Sequence, residues 1–244
     1  MSHSQTHEKT PGNPSYRIGL LGGIGPVASG KFYQSVIQKL QQSGRVKANT
    51  DFPQIIMNSI PAPELTSLQI DEKLLEPYIE GVKLLNMHRP DLILMICNTV
   101  HLYYDLIHKR SGAKNLISIR EVVEQRLQYL KQKTICIIGS PQTIISNLYR
   151  FKSLTYLEHK PADLKLLGTL INSYNASGDD ISARSILKAF IAGKKREGTE
   201  VFVLACTELS MLARGIIDLE FQYEDTLEMM VEEVVERCLE NKIS

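Results

Sequence analysis

Apolar residues in this chain fall into short runs separated by longer stretches with a helical period. The runs are 18–21, 54–59, 92–96, 116–119, 134–138, 155–158 and 201–205. Several are apolar at successive positions, as strands covered on both faces are. The stretches 26–43, 72–88, 99–109, 120–132, 141–149, 162–176, 181–197 and 223–240 carry the amphipathic spacing of helices. Strand and helix in alternation predict an α/β fold with parallel sheets and right-handed crossovers. A length of 244 residues accommodates one large open sheet or two smaller ones.

The two halves echo each other. In the first, Asp91 precedes an apolar strand that ends at Cys97, Asn98 and Thr99; in the second, Glu200 precedes one that ends at Cys206, Thr207 and Glu208. The run 18–22 ends in glycine and is followed by Pro26, and the run 135–139 ends in glycine and is followed by Pro141. Proline is well suited to the first turn of a helix. This weak internal symmetry predicts two related lobes with functional loops at the carboxyl ends of their strands.

Composition removes several classes of function. Hydrophobic residues at 43% and charged residues at 23% are globular values, which excludes wholesale disorder, collagen and coiled coil. A net charge of +1 provides no field to draw nucleic acid or an anionic membrane, so the expected ligand is small. No run approaches the ~20 apolar residues of a membrane span. Cys97, Cys136, Cys206 and Cys238 are too scattered for a disulfide framework or a zinc knuckle. Residues 1–14 are polar, lack the apolar core of a signal peptide and read as a disordered tail. The expectation is a cytoplasmic protein with reduced thiols.

The turn after the first strand, Gly23-Ile-Gly25-Pro-Val-Ala28, fits the GxGxxA fingerprint of a dinucleotide site. Two features argue against nucleotide. Pro26 lacks the N–H that a phosphate would seek at a helix start. The second strand ends in Asn58, Ser59, Ile60 and Pro61, without the acidic residue that holds a ribose. A tight turn that walls a small-molecule site is the better reading.

Cys97 and Cys206 each stand where a strand gives way to a helix. Backbone N–H groups and the helix dipole there are expected to favour the thiolate. Two thiols facing across a cleft can invert a stereocentre without a cofactor, one removing a proton from carbon and the other supplying one to the opposite face. Free cysteines are also among the most buried residues, and a packing role suits Cys136 and Cys238.

The chain resembles the cofactor-independent aspartate/glutamate racemase family in IGLLGGIGPVA at 18–28, ICNTVH at 96–101 and LACTEL at 204–209. The resemblance implies two pseudosymmetric α/β lobes, here 15–113 plus 216–244 and 114–215, with the active site between them. It implies one catalytic cysteine per lobe, Cys97 and Cys206, an amino-acid substrate and neither pyridoxal phosphate nor metal. Gly23 and Gly25 would then line the site, with Asn98, Thr99 and Thr207 at the substrate carboxylate. Ser140 and Thr143 match a second hydroxyl-bearing loop, although Ser140 is equally suited to capping a helix. His101 and Glu208 would support the cysteines, unless His101 is a structural core histidine and Glu208 simply favours a helix start. A homodimer is compatible with this reading.

The sequence departs from the family at specificity positions. Many aspartate racemases carry Asp-Arg-Thr after the second strand, where this chain has Glu64, Leu65 and Thr66. A later family lysine is matched by Asn175. Leucine cannot replace a bidentate arginine, so neutral or cationic amino acids become the expected substrates unless Lys31 or Arg120 folds into the site. Rival readings are a hydantoin racemase, a cysteine-dependent decarboxylase, or a catalytically silent metabolite-binding protein.

Overall fold

A computed structural model describes residues 16–65, 70–178, 180–214, 216 and 221–240. The tail expected over 1–14 and the candidate residue Thr66 lie outside the described residues. The fold is α/β, with two parallel sheets flanked by helices. The first sheet has the order β2-β1-β3, from β1 (Arg17–Gly22), β2 (Gln54–Ser59) and β3 (Leu92–Met95). Helix α1 (Pro26–Gln42) joins β1 to β2, and α2 (Glu76–Met87) joins β2 to β3. The second sheet has the order β5-β4-β6-β7, from β4 (Thr134–Gly139), β5 (Thr155–Tyr156), β6 (Val201–Ala205) and β7 (Gln222–Asp225). Every pairing in both sheets is parallel.

Alternate residues of each central strand enter different cores. Ile18, Leu20, Leu92 and Leu94 of the first sheet meet Ile135, Val201 and Val203 of the second in one shared cluster. The opposite faces pack outward. Leu21, Ile93 and Met95 lie against α2, while Ile138, Phe202 and Leu204 lie against α6 (Pro161–Ser177), α7 (Ile181–Arg196) and α8 (Thr207–Arg214). Burial on both faces is why these runs are continuously apolar.

The last helix, α9 (Thr226–Glu240), joins the two lobes. Its Leu227, Met230, Val231 and Val234 enter the shared cluster, each contributing roughly 1.5–3 kcal/mol on burial. Lys39 of α1 pairs with its Glu232 at 2.7 Å. The segment 216–244, assigned from sequence to the first lobe, is thus divided: β7 is the edge of the second sheet, whereas α9 crosses back onto α1. The lobe boundary differs on the other side too. Leu116 forms a single bridge with Ile93 of the first sheet, and α4 (Ile119–Arg126) packs on α9. The expected strand at 116–119 is therefore only this bridge. The expected helix at 141–149 stops at Ile145, forming α5 (Pro141–Ile145), and Asn147 then takes a left-handed φ of 57°. The stretch at 99–109 begins as a tight 3₁₀ turn over Thr99–Tyr103 before α3 (Tyr104–Ser111).

Candidate active site

The carboxyl ends of β1, β3, β4 and β6 converge on one cavity of about 460 Å³. The first lobe contributes Gly23, Gly25, Glu64, Leu65, Cys97 and Thr99 to its wall, and the second contributes Ser140, Gln142, Asn172, Asn175, Cys206 and Glu208. A smaller cavity of about 230 Å³, beside His159 in the second lobe, holds neither of these thiols. Both cysteines predicted to be reactive thus share one site. Cys136 and Cys238 are buried in the second-lobe and shared cores.

The glycine turn owes its shape to close approach. Gly23 and Gly25 have φ of 86° and 91°, a region that penalises side chains. A Cβ on Gly23 would overlap the backbone of Ile60. One on Gly25 would stand 2.9 Å from Oε1 of Glu208 and 3.3 Å from Oγ1 of Thr207, both on the other lobe. Ser29 secures the turn by accepting from the Gly23 N–H at 3.2 Å and donating to the Gly25 carbonyl at 3.1 Å. The glycines therefore let the second cysteine loop close onto the first lobe.

Each thiol sits at a helix start. Backbone N–H groups of Thr99 and Val100 face Cys97, and those of Glu208 and Leu209 face Cys206. These favour the thiolate, as expected from sequence, but they do not prevail. Burial, followed by the negative charge of Glu208, pushes the Cys97 thiol up to about 12 and that of Cys206 well above its ordinary value. Both thiols are thereby held in the protonated form, against the expected direction of their pKa values. Cys206 Sγ donates to Glu208 Oε2 at 3.0 Å, and Thr207 Oγ1 donates to the same oxygen at 2.8 Å. Glu208 therefore does more than start α8.

Three hydroxyls meet across the lobes. Thr99 Oγ1 lies 2.9 Å from Ser140 Oγ, which lies 3.0 Å from Thr143 Oγ1. Ser140 also accepts from the Thr143 N–H at 3.1 Å, so it caps α5 while facing the cavity. Thr143, Thr207 and Asn98 are buried and stand behind the wall. Asn98 Oδ1 accepts from Tyr149 Oη and, at 2.9 Å, from Thr226 Oγ1, tying β3 to the second lobe and to α9. Neither Tyr149 nor Thr226 lies beside a motif that marks it in the sequence. Asn172 had a legible signal, because it precedes Asn175 by one helical turn and shares its face of α6.

His101 does not reach the cavity. It is buried, its Nδ1 accepts from the Ile119 N–H at 3.4 Å, and its Nε2 faces the Met95 carbonyl at 3.3 Å. Burial lowers its pKa to about 4. The neutral ring links β3 to α4, and this is its structural role. An unfolded histidine titrates near ~6.5, so its stabilising contribution is full above that pH and is lost as pH falls through about 4. The stability difference between the wild type and His101→Gln, from urea unfolding, should therefore shrink on going from about pH 7 to about pH 4.5. A difference constant over that range would refute the assignment.

Neither candidate cation enters the cavity. Lys31 Nζ donates to Gln34, and Arg120 stacks over the Phe151 ring at 5.0 Å. Leu65 stands in the wall and packs into the outer cluster with Tyr78. Among the described residues, no group of three or more His, Cys, Asp or Glu is arranged to hold a metal, and no helix is long and apolar enough to cross a membrane.

The Asp/Glu/hydantoin racemase family model matches residues 21–234. This chain belongs to the Asp/Glu/hydantoin racemase family. Among racemases of known sequence, it is 28% identical over 134 residues to the broad specificity amino-acid racemase RacX of Bacillus subtilis, covering 54% of this chain and 58% of RacX. It is 28% identical over 142 residues to the glutamate racemase of Chlorobaculum tepidum, covering 56% of this chain and 52% of that racemase. The matched region thus spans little more than half the length of these curated relatives. The fold is shared with Picrophilus torridus aspartate racemase at a TM-score of 0.74 and 21% identity, covering 91% of this chain and 94% of that racemase.

Proposed function

We propose that this chain is a cofactor-independent amino-acid racemase, an isomerase in which Cys97 and Cys206 act on opposite faces of the substrate α-carbon. The observation that carries this reading is the arrival of two helix-start thiols, one from each lobe, in a single cavity. One thiolate takes the α-proton, breaking the carbon–hydrogen bond and forming S–H. The electron pair left on carbon spreads into the substrate carboxylate. The opposite thiol then protonates carbon from the other face and becomes the thiolate. The hydroxyls of Thr99 and Ser140, with the N–H groups at the helix starts, are suited to hold that carboxylate as its charge grows. Thr143, Thr207 and Asn98 hold these groups in place.

Two protonated thiols must give up one proton before turnover begins. Glu208 is the nearest acceptor to Cys206, and the arriving α-ammonium group of the substrate favours the thiolate by its positive charge. An acidic side chain finds no arginine at Leu65, so the substrates of this reading are neutral or cationic amino acids. Incubation with individual L-amino acids in deuterated water tests it. Deuterium should enter the α-position and the D-antipode should accumulate. Release of carbon dioxide instead would assign a decarboxylase, and binding without either reaction would leave only a metabolite-binding protein.

A further inference from the structure

We infer that Glu64 and Asn175 form a recognition site for the far end of the substrate side chain, and that this end is a cation, an ammonium or a guanidinium. The inference rests on the cavity being the amino-acid site proposed above. Glu64 follows β2 in the first lobe, and Asn175 lies on α6 of the second. Asn175 Nδ2 donates to Glu64 Oε1 at 3.4 Å, so the pair spans the cleft. That bond leaves the second carboxylate oxygen and the Asn175 carbonyl as acceptors. Both residues are exposed parts of the cavity wall, and they mark its mouth.

The charge of the wall has one sign. Its ionisable carboxylates are Glu64 and Glu208, and no Lys, Arg or His lines it among the described residues. Glu208 is occupied with Cys206 and Thr207 at the chemical end. Glu64 is therefore the charge available to a side chain. Ile24, Ala62, Leu65 and Ile171 supply an apolar stretch in the same wall, which suits the methylenes of a long basic side chain. An acidic side chain would bring a further negative charge to a wall with no cation. Because Glu64 is exposed, its attraction is screened by solvent and salt, and an effect of roughly two- to fivefold is expected.

The test measures α-proton exchange on L-lysine, L-norleucine and L-glutamate for the wild type and Glu64→Gln, with calorimetric binding of the same three compounds. The wild type should prefer lysine to glutamate. The lysine-to-norleucine ratio of kcat/KM should fall roughly two- to fivefold in Glu64→Gln and also fall in the wild type at high salt. Being a ratio, it is insensitive to partial loss of folded enzyme. Preference for glutamate, or a ratio unchanged by the substitution, would overturn the inference. If no amino acid exchanges its α-proton, the racemase reading fails; lysine binding that weakens in Glu64→Gln would still uphold the recognition site, and absence of lysine binding would overturn it.

Discussion

Cys97→Ala and Cys206→Ala should each lose racemisation by a factor of ~10²–10⁴, the usual range for removing one acid–base group. Inversion needs a proton removed from one face and another delivered to the opposite face. Either variant retains a thiol on only one face. Each should keep slow washing of deuterium into one antipode without inversion, and that antipode identifies the face its surviving thiol serves. Cys136→Ala and Cys238→Ala are the controls. Both side chains are buried away from the cavity, so these variants should lose some stability and retain turnover. Chiral chromatography of the product and α-proton exchange followed by nuclear magnetic resonance make the measurement. Wild-type racemisation by either Cys97→Ala or Cys206→Ala would refute the two-thiol mechanism.

These two cysteines were legible because each terminates a continuous apolar run, and such runs mark strands buried on both faces. The shared core explains the pattern: Val201 and Val203 face the other lobe, while Phe202 and Leu204 face their own helices. β7 was invisible to the same reasoning. Its residues are Gln222, Tyr223, Glu224 and Asp225, an edge strand with two carboxylates and no apolar run. β5, by contrast, is expected over 155–158 and forms over only two of those residues, Thr155 and Tyr156. The cause of the glycine turn lies elsewhere in the chain: Gly23 is crowded by the Ile60 backbone and Gly25 by Glu208 from the other lobe. The position of Asn98 beside Cys97 suits a substrate ligand. Its side-chain oxygen is taken by Tyr149 and Thr226, which lie 51 and 128 residues away in sequence. Local reasoning also missed the direction of the thiol pKa values. The N–H groups that lower them belong to adjacent residues, whereas the burial that overrides them comes from assembly of both lobes.

Glu208→Gln should separate turnover from thiol reactivity. The wild-type carboxylate accepts from Cys206 Sγ at 3.0 Å and from Thr207 Oγ1 at 2.8 Å. Glutamine keeps an oxygen for these bonds but carries no charge and takes no proton at neutral pH. If Glu208 receives the Cys206 proton, its replacement removes a proton acceptor and lowers turnover by ~10²-fold. The same charge also raises the pKa of both cavity thiols, so removing it makes each thiolate more accessible. Alkylation of Cys97 and Cys206 by iodoacetamide near neutral pH should therefore become faster while turnover falls. Peptide mapping assigns the modified cysteines, and substrate should protect both. A merely structural role for Glu208 would also expose the thiols by loosening the loop, but without moving the pH midpoint of alkylation downward, so the alkylation rate is followed against pH. Turnover equal to the wild type, or alkylation that slows in parallel with turnover, would remove Glu208 from the proton path.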